Sequence, residues 1–138
     1  MSVALNSMQE IFDRMEKSGK EFWEIVLETD IDERQVTREE SLAKMLFTWQ
    51  AMQDAADQYT GQRRSVSGLV GGDGQRVREY YKTHRSIGGD FTAEAISEAL
   101  AMGESNACMR RIVAAPTAGA CGVLPAVLLP LYYREELS

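Results

Sequence analysis

The chain has 138 residues, of which 44% are hydrophobic and 26% charged, the composition of one soluble globular domain. Its formal net charge of −6 argues against a nucleic-acid partner, because binding a phosphate backbone needs a basic surface. The amino terminus lacks the basic and apolar runs of a secretory signal and the chain has two cysteines, so we expect a reduced, cytoplasmic protein. We expect residues 1–138 to form a single domain.

The longest uncharged stretch, from Ile112 to Tyr133, is about as long as a membrane span. It contains all three prolines of the chain and two glycines, which would leave backbone groups unpaired in lipid. We therefore expect a buried loop followed by a helix that packs in protein, and no membrane insertion.

The first two helices are predicted from short apolar patterns. Between Leu5 and Met15 the apolar side chains share one helical face, and Gly19 is suited to end that helix. The apolar run from Phe22 to Leu27 is ambiguous by itself, but the acidic residues around it favour a short helix over a strand.

The third helix has the clearest pattern. Thr37 and Glu40 have the spacing of a capping box, in which each side chain bonds to the backbone N–H of the other residue. Behind them, apolar residues recur with helical spacing from Leu42 to Tyr59, which predicts a long helix.

Three further helices are predicted in the rest of the chain. They cover the region around Val77 to Tyr81, the stretch from Thr92 to about Met109, and Val123 to Tyr133 with Pro125 in its first turn. The sequence thus predicts an all-α fold of about five to six helices, whose irregular parts are two glycine-rich turns.

The first irregular segment runs from Arg63 to Gly74, and residues 61–74 hold five of the eleven glycines. Glycines that lead into a helix leave backbone N–H groups directed at one point, where the helix dipole adds positive charge. Such a place suits an anion, for example a substrate carboxylate, and the nearby serines and arginines favour this interpretation. A plain helix connection with surface arginines explains the same residues.

The second irregular segment runs from Ala115 to Ala126 and contains Cys121 directly before an apolar helix. A helix N-terminus lowers the pKa of a thiol and favours the thiolate, which is the form that binds metal. The alternative is a small buried side chain, the usual place of a lone cysteine in an apolar segment. A complete iron–sulfur site normally needs at least three cysteines, and this turn supplies one.

Two motifs in these segments carry a resemblance to a known family: RSVSGLVGGDG, which begins at Arg64, and RIVAAPTAGACGVLPAVLL, which begins at Arg111. Together with the intervening Gly88-Gly89 and Asn106-Ala107 pairs, they resemble the α-chain of bacterial iron–sulfur L-serine dehydratases. The resemblance runs from about Glu24 to the end of the chain, and the second motif is the more specific.

In that family a [4Fe–4S] cluster held by three cysteines acts as a Lewis acid on the β-hydroxyl of L-serine, and the products are pyruvate and ammonia. By motif position, the resemblance implies that Cys121 is the first cluster ligand. It also implies a substrate pocket and a site for the substrate carboxylate. The pocket would be lined by Thr117, Ala118 and Gly119, and the carboxylate site by Ser65, Ser67, Gly68, Gly71 and Gly72.

The family pattern also includes parts that residues 1–138 do not contain, namely two later cluster cysteines and a β-chain or β-like domain with its own substrate motif. We therefore expect this chain alone to lack both cluster and activity. The apolar segment from Val123 to Tyr133 is expected to drive self-association into a homo-oligomer. Cys108 is expected in the core, and His84 at the surface without a role.

Two other functions fit the same residues. One is a small all-α binding or regulatory module whose glycine-rich turn recognises a small carboxylate. The other is a related cluster-dependent cysteine desulfidase, in which the cluster binds a different leaving group. The residues alone leave open the preferred substrate and the base that removes the α-proton.

Overall fold

The computed structural model describes residues 5–84 and 86–135, and every regular element within those ranges is helical. The predicted all-α fold is therefore confirmed. The described residues form six α-helices and one short 3₁₀ turn, Ala118–Ala120. The helices are α1 Met8–Ser18, α2 Phe22–Arg34, α3 Arg38–Asp57, α4 Asp73–Thr83, α5 Gly89–Ala107 and α6 Val123–Glu135.

The helices fall into two compact units, residues 1–47 and 48–138, whose boundary lies within α3. The first unit contains α1, α2 and the beginning of α3, and its buried apolar side chains include Ile11, Ile25 and Leu27. The second unit contains the remaining helices and both glycine-rich segments. The expectation of a single domain over the whole chain stays a prediction.

Residues just outside α1 set both of its ends. The Ser7 hydroxyl accepts a hydrogen bond from the Glu10 N–H at 3.2 Å, which caps the first turn. Gly19 ends the helix as predicted, with a φ of 68° that glycine adopts without strain. The second predicted helix is also confirmed, and α2 extends further than its apolar run, to Arg34.

The predicted capping box forms at the start of α3. The Glu40 N–H donates to the Thr37 hydroxyl at 3.2 Å, and the Thr37 N–H donates to the Glu40 carboxylate at 2.8 Å. The helix ends at Asp57, so Tyr59, the last residue of the apolar pattern, lies beyond it. In the first half of the helix the apolar side chains of this pattern are exposed, at Leu42, Met45 and Leu46.

In the second unit α5 packs against both α4 and α6. Its Met102 is fully buried and forms a small apolar core with Ala55 and Cys121. The helix begins at Gly89, somewhat earlier than the predicted start. At the end of α4, exposed His84 stacks on Tyr80 with ring centroids 4.3 Å apart, as expected for a surface residue.

The last helix, α6, is buried on one face only. Pro125 occupies its first turn as predicted, and Pro130 lies inside it next to the fully buried Leu129. None of the helices in the described ranges has the length and apolar composition that a membrane span requires. We define the exposed apolar face of α6 as the side chains of Val123, Leu124, Val127, Leu128 and Leu131, which are 38–61% exposed.

Candidate functional site

The glycine-rich loop, residues 60–72, leads from the end of α3 to α4 and folds back on itself. The Ser65 N–H donates to the Val70 carbonyl oxygen at 2.9 Å, and the Val70 N–H donates to the Ser65 hydroxyl at 3.1 Å. The hydroxyl oxygens of Ser65 and Ser67 lie 3.1 Å apart. The loop tip extends into solvent, since Val66 is 99% exposed and Leu69 is 87% exposed. The loop thus carries two adjacent hydroxyls close to an exposed tip.

The base of the loop is tightly packed, and Gly71 shows why only glycine fits there. Its φ is 139°, and a Cβ atom on it would lie 2.1 Å from the Arg63 carbonyl oxygen. The Arg64 guanidinium donates to the carbonyl oxygens of Gly61 and Arg63 at 3.3 Å and 2.9 Å. Arg64 therefore stabilises the loop backbone, at a position where the sequence suggested a contact with a ligand.

A carboxylate of the chain itself occupies the N-terminus of α4. Glu104, on α5 and only 5% exposed, accepts hydrogen bonds from the N–H groups of Asp73 at 2.5 Å and Gly74 at 3.3 Å. Burial opposes its ionisation, but hydrogen bonds from Tyr59 and from these N–H groups lower the pKa of the Glu104 carboxyl overall. An internal anion thus takes the position at which the sequence predicted the anion of a ligand.

Tyr59 completes this arrangement from just beyond the end of α3. Its hydroxyl donates to Glu104 Oε2 at 2.5 Å and accepts from the Gln75 N–H at 3.1 Å. Burial, followed by the hydrogen bond to the carboxylate, raises the pKa of Tyr59 to about 12. Gly74 allows this close approach, since a Cβ atom on it would lie 3.0 Å from the Tyr59 hydroxyl and 2.9 Å from the Ala101 nitrogen.

The proline turn, residues 115–122, leads into α6. A cis peptide bond precedes Pro116, and the 3₁₀ turn Ala118–Ala120 follows. The side-chain amide of Asn106, on α5, donates to the Ala118 carbonyl oxygen at 3.3 Å and so ties the turn to that helix. The three residues that the family resemblance assigns to a substrate pocket are exposed, namely Thr117, Ala118 and Gly119.

Cys121 lies beneath this turn and faces the core. Its side chain is 3% exposed, packs with Ala55 and Met102, and donates a weak hydrogen bond from Sγ to the Met102 carbonyl oxygen at 3.8 Å. Burial raises the pKa of the Cys121 thiol. Of the two interpretations that the sequence left open for Cys121, the structure supports the small buried side chain, whose desolvation disfavours the thiolate.

Within residues 5–84 and 86–135 no three His, Cys, Asp or Glu side chains are grouped so that they could hold a metal ion. The second cysteine, Cys108, is free and half-buried where the sequence predicted a core position, and it lines a small cleft with Tyr59, Arg63 and Arg110. One thiol that faces the core cannot hold a [4Fe–4S] cluster. In this conformation, the described residues do not fit that cofactor.

The sequence of the chain matches a known protein family. The sequence model described as serine dehydratase alpha chain matches residues 17–138, which include both the glycine-rich loop and the proline turn. The chain belongs to the serine dehydratase α-chain family. This membership favours the L-serine dehydratase interpretation over a separate carboxylate-binding module.

Two individual relatives support the assignment of this chain to the α-chain family. The chain is 36% identical over 126 residues to the L-serine dehydratase, alpha chain, of Peptoniphilus asaccharolyticus, covering 91% of this chain and 43% of the relative. It is 30% identical over 115 residues to the probable L-serine dehydratase, alpha chain, of Bacillus subtilis (strain 168), covering 83% and 38%. The chain thus spans about two fifths of the length of these relatives. No solved structure matches the chain significantly.

The structure places the predicted site residues of this α-chain on two segments that both pack on α5. It brings the hydroxyls of Ser65 and Ser67 together and leaves Gly68 exposed, whereas Gly71 and Gly72 are buried at the loop base. Residues 117–119 lie on the other segment, which is held to α5 by Asn106, two residues along the chain from Glu104.

Sequence reasoning missed Glu104 and Tyr59. The available signal was spacing, since Glu104 shares a helical face with Ser97 and Ala101, both of which are buried. A carboxylate on the buried face of a helix needs hydrogen-bond donors from elsewhere in the fold.

Proposed function

We propose that this α-chain acts in the conversion of L-serine to pyruvate and ammonia, and that its glycine-rich loop binds the substrate carboxylate. The names of the two relatives support the substrate class. The observation that carries the assignment of the loop is the 3.1 Å separation of the Ser65 and Ser67 hydroxyls. One of the two hydroxyls donates to the other in this structure, so a carboxylate that replaces this bond can accept from both O–H groups, one at each of its oxygens.

In this proposal the loop binds through its tip. The N–H groups of Asp73 and Gly74 already donate to Glu104, so the two serine hydroxyls and the exposed backbone at Gly68 are the groups that the loop offers to a ligand. Gly71 and Gly72 do not contact the substrate in this proposal; they permit the tight backbone conformation at the base of the loop. Residues 117–119, which are exposed, would line another part of the same pocket.

We further propose that an α-chain of the relatives' length, together with a β-chain, holds a [4Fe–4S] cluster with Cys121 as one ligand. The cluster would supply a Lewis acid for the β-hydroxyl of L-serine. Because the Cys121 thiol is buried against Met102, the proline turn must rearrange before this sulfur can bind iron. Residues 1–138 alone are expected to bind no cluster and to be inactive.

The proposed partners are L-serine, a β-chain or β-like domain, and further copies of this chain. The term alpha chain in the names of the relatives supports a second kind of chain. Self-association is supported by the exposed apolar face of α6, since burying the remaining exposed part of each such side chain contributes about 0.5–1.5 kcal/mol. The negative charge of the chain argues against binding of nucleic acid, and its two free cysteines support a reducing, cytoplasmic location.

The test is anaerobic reconstitution with iron and sulfide, followed by measurement of iron per chain, visible absorbance and pyruvate formation from L-serine. It compares the 138-residue chain with an α-chain of the relatives' length mixed with its β-chain. We expect cluster and activity only in the second sample. Both should be lost in Cys121→Ala and retained in Cys108→Ala, which is the matched control.

A double variant tests the loop. Replacing both Ser65 and Ser67 by alanine removes the donors to the carboxylate, so KM for L-serine should increase by about 10–100-fold, as expected for loss of two charge-assisted hydrogen bonds. Absence of a cluster and of activity in the reconstituted pair of chains would refute the proposed function.

A further inference from the structure

Glu104 joins three parts of the second unit through one buried carboxylate. Its Oε1 atom accepts from the N–H groups of Asp73 and Gly74 at the start of α4, and its Oε2 atom accepts from the Tyr59 hydroxyl next to the end of α3. Glu104 itself lies near the end of α5. The Tyr59 hydroxyl closes the arrangement by accepting from the Gln75 N–H at 3.1 Å.

These contacts lie at the two ends of the glycine-rich loop. The loop begins immediately after Tyr59 and ends immediately before Asp73, and both of these residues donate to the same carboxylate. Glu104 therefore fixes one end of the loop relative to the other. Within the loop, the bonds between Ser65 and Val70 then determine where the serine hydroxyls lie.

The same carboxylate affects where an anionic ligand can bind. A helix N-terminus attracts anions through its free N–H groups and its dipole. Here two of those N–H groups are hydrogen-bonded to Glu104, whose negative charge repels a second carboxylate at this place. A substrate carboxylate is thereby directed away from α4 and towards the loop tip.

We propose that Glu104 and Tyr59 are positioning residues for substrate binding: they hold both ends of the glycine-rich loop, close the N-terminus of α4 to ligand anions, and so orient Ser65 and Ser67. The substrate part of this inference rests on the proposed function. The effect on the loop itself does not, and it can be measured on the chain without substrate.

The first experiment measures amide hydrogen exchange in the 138-residue chain. Glu104→Gln removes the charge, and the amides of Asp73 and Gly74 should then exchange about tenfold faster, since charge-assisted hydrogen bonds are replaced by neutral ones. Glu94→Gln is the matched control, because Glu94 lies on the same helix but pairs with Arg134 on α6. In the control, exchange at Asp73 and Gly74 should be unchanged.

Tyr59→Phe provides a second variant in case Glu104→Gln does not fold. It retains the carboxylate and removes only the hydroxyl, so exchange at Gln75, whose N–H donates to that hydroxyl, should accelerate most. Unchanged exchange at Asp73 and Gly74 in Glu104→Gln, or at Gln75 in Tyr59→Phe, would overturn the positioning role.

The second experiment uses the reconstituted α-chain of the relatives' length with its β-chain. In Glu104→Gln we expect KM for L-serine to increase about tenfold with kcat within about threefold, because the loop contributes uniform substrate binding. A purely structural role predicts the reverse, a lower apparent kcat from a smaller folded fraction with KM unchanged, and would overturn the inference. If the wild-type enzyme shows no activity, the proposed function fails while the exchange experiment still decides the role of Glu104.

Discussion

The Sγ atom of Cys121 lies 3.8 Å from the carbonyl oxygen of Met102, beneath a turn whose outer residues are exposed. The motif that contains this cysteine is the part of the chain that most resembles a cluster-binding family. The thiol nevertheless points into the small apolar core that Met102 forms with Ala55. Binding of iron at Cys121 therefore requires a second conformation of the proline turn.

This relationship predicts different reactivity for the two cysteines. The Cys121 thiol is buried and its pKa is raised by burial, whereas Cys108 is half-buried beside a cleft. In the native chain we expect iodoacetamide to modify Cys108 at least about tenfold faster than Cys121, since the exposed thiolate is the reactive form. Mass spectrometry of timed samples measures both rates, and the difference should disappear in urea. Equal rates in the native chain would contradict the buried position of Cys121.

A second prediction concerns two glycines with different surroundings. A Cβ atom at Gly74 would lie 2.9 Å from the Ala101 nitrogen, so Gly74→Ala should lower the free energy of unfolding by about 1–3 kcal/mol. At Gly103, inside α5, a Cβ atom would meet nothing within 4 Å beyond its chain neighbours and its own helix backbone, so Gly103→Ala should raise the free energy of unfolding by about 0.5–1 kcal/mol. Urea unfolding at neutral pH measures both changes. Similar effects of the two substitutions would show that α4 does not approach α5 closely.

The sequence was sufficient to predict the features that depend on neighbouring residues. The all-α class, the capping box of Thr37 and Glu40, and the end of α1 at Gly19 are all local, and all are confirmed. The glycine content of residues 61–74 likewise indicated an irregular backbone, because φ values such as that of Gly71 are open only to glycine.

Features that depend on distant residues could not be predicted in this way. That Glu104 bonds to Asp73 follows from the packing of α5 against α4, which no local pattern encodes. The sequence left two positions open for Cys121, and its contact with Met102 on α5 decides for the buried one. Helical periodicity also cannot show which half of an apolar face is covered, and the first half of the α3 pattern is exposed, as at Met45.

The lowered pKa of Glu104 predicts how stability depends on pH. A carboxyl whose pKa is lower in the folded state contributes stability above its ordinary value of 4.5, and this contribution is lost as pH falls through the folded-state pKa. The wild-type chain should therefore be more stable than Glu104→Gln at pH 7, and the difference should shrink below about pH 4.5. Urea unfolding of both chains between pH 7 and pH 3 measures this. A constant difference over that range would show that the carboxylate charge is not stabilised by the N–H groups of α4.

The exposed apolar face of α6 predicts self-association. Leu128 lies within this face and is 38% exposed, so burial of the exposed part against another copy contributes about 0.5–1 kcal/mol, and a lysine there would place a charge in the contact. We expect the wild-type chain to sediment as a dimer or larger species at concentrations where Leu128→Lys is monomeric. Gln50→Lys adds the same charge at an exposed position of α3, outside the face, and should sediment like the wild type. A wild-type chain that stays monomeric at high concentration would contradict self-association through α6, because the apolar face would then remain exposed to water.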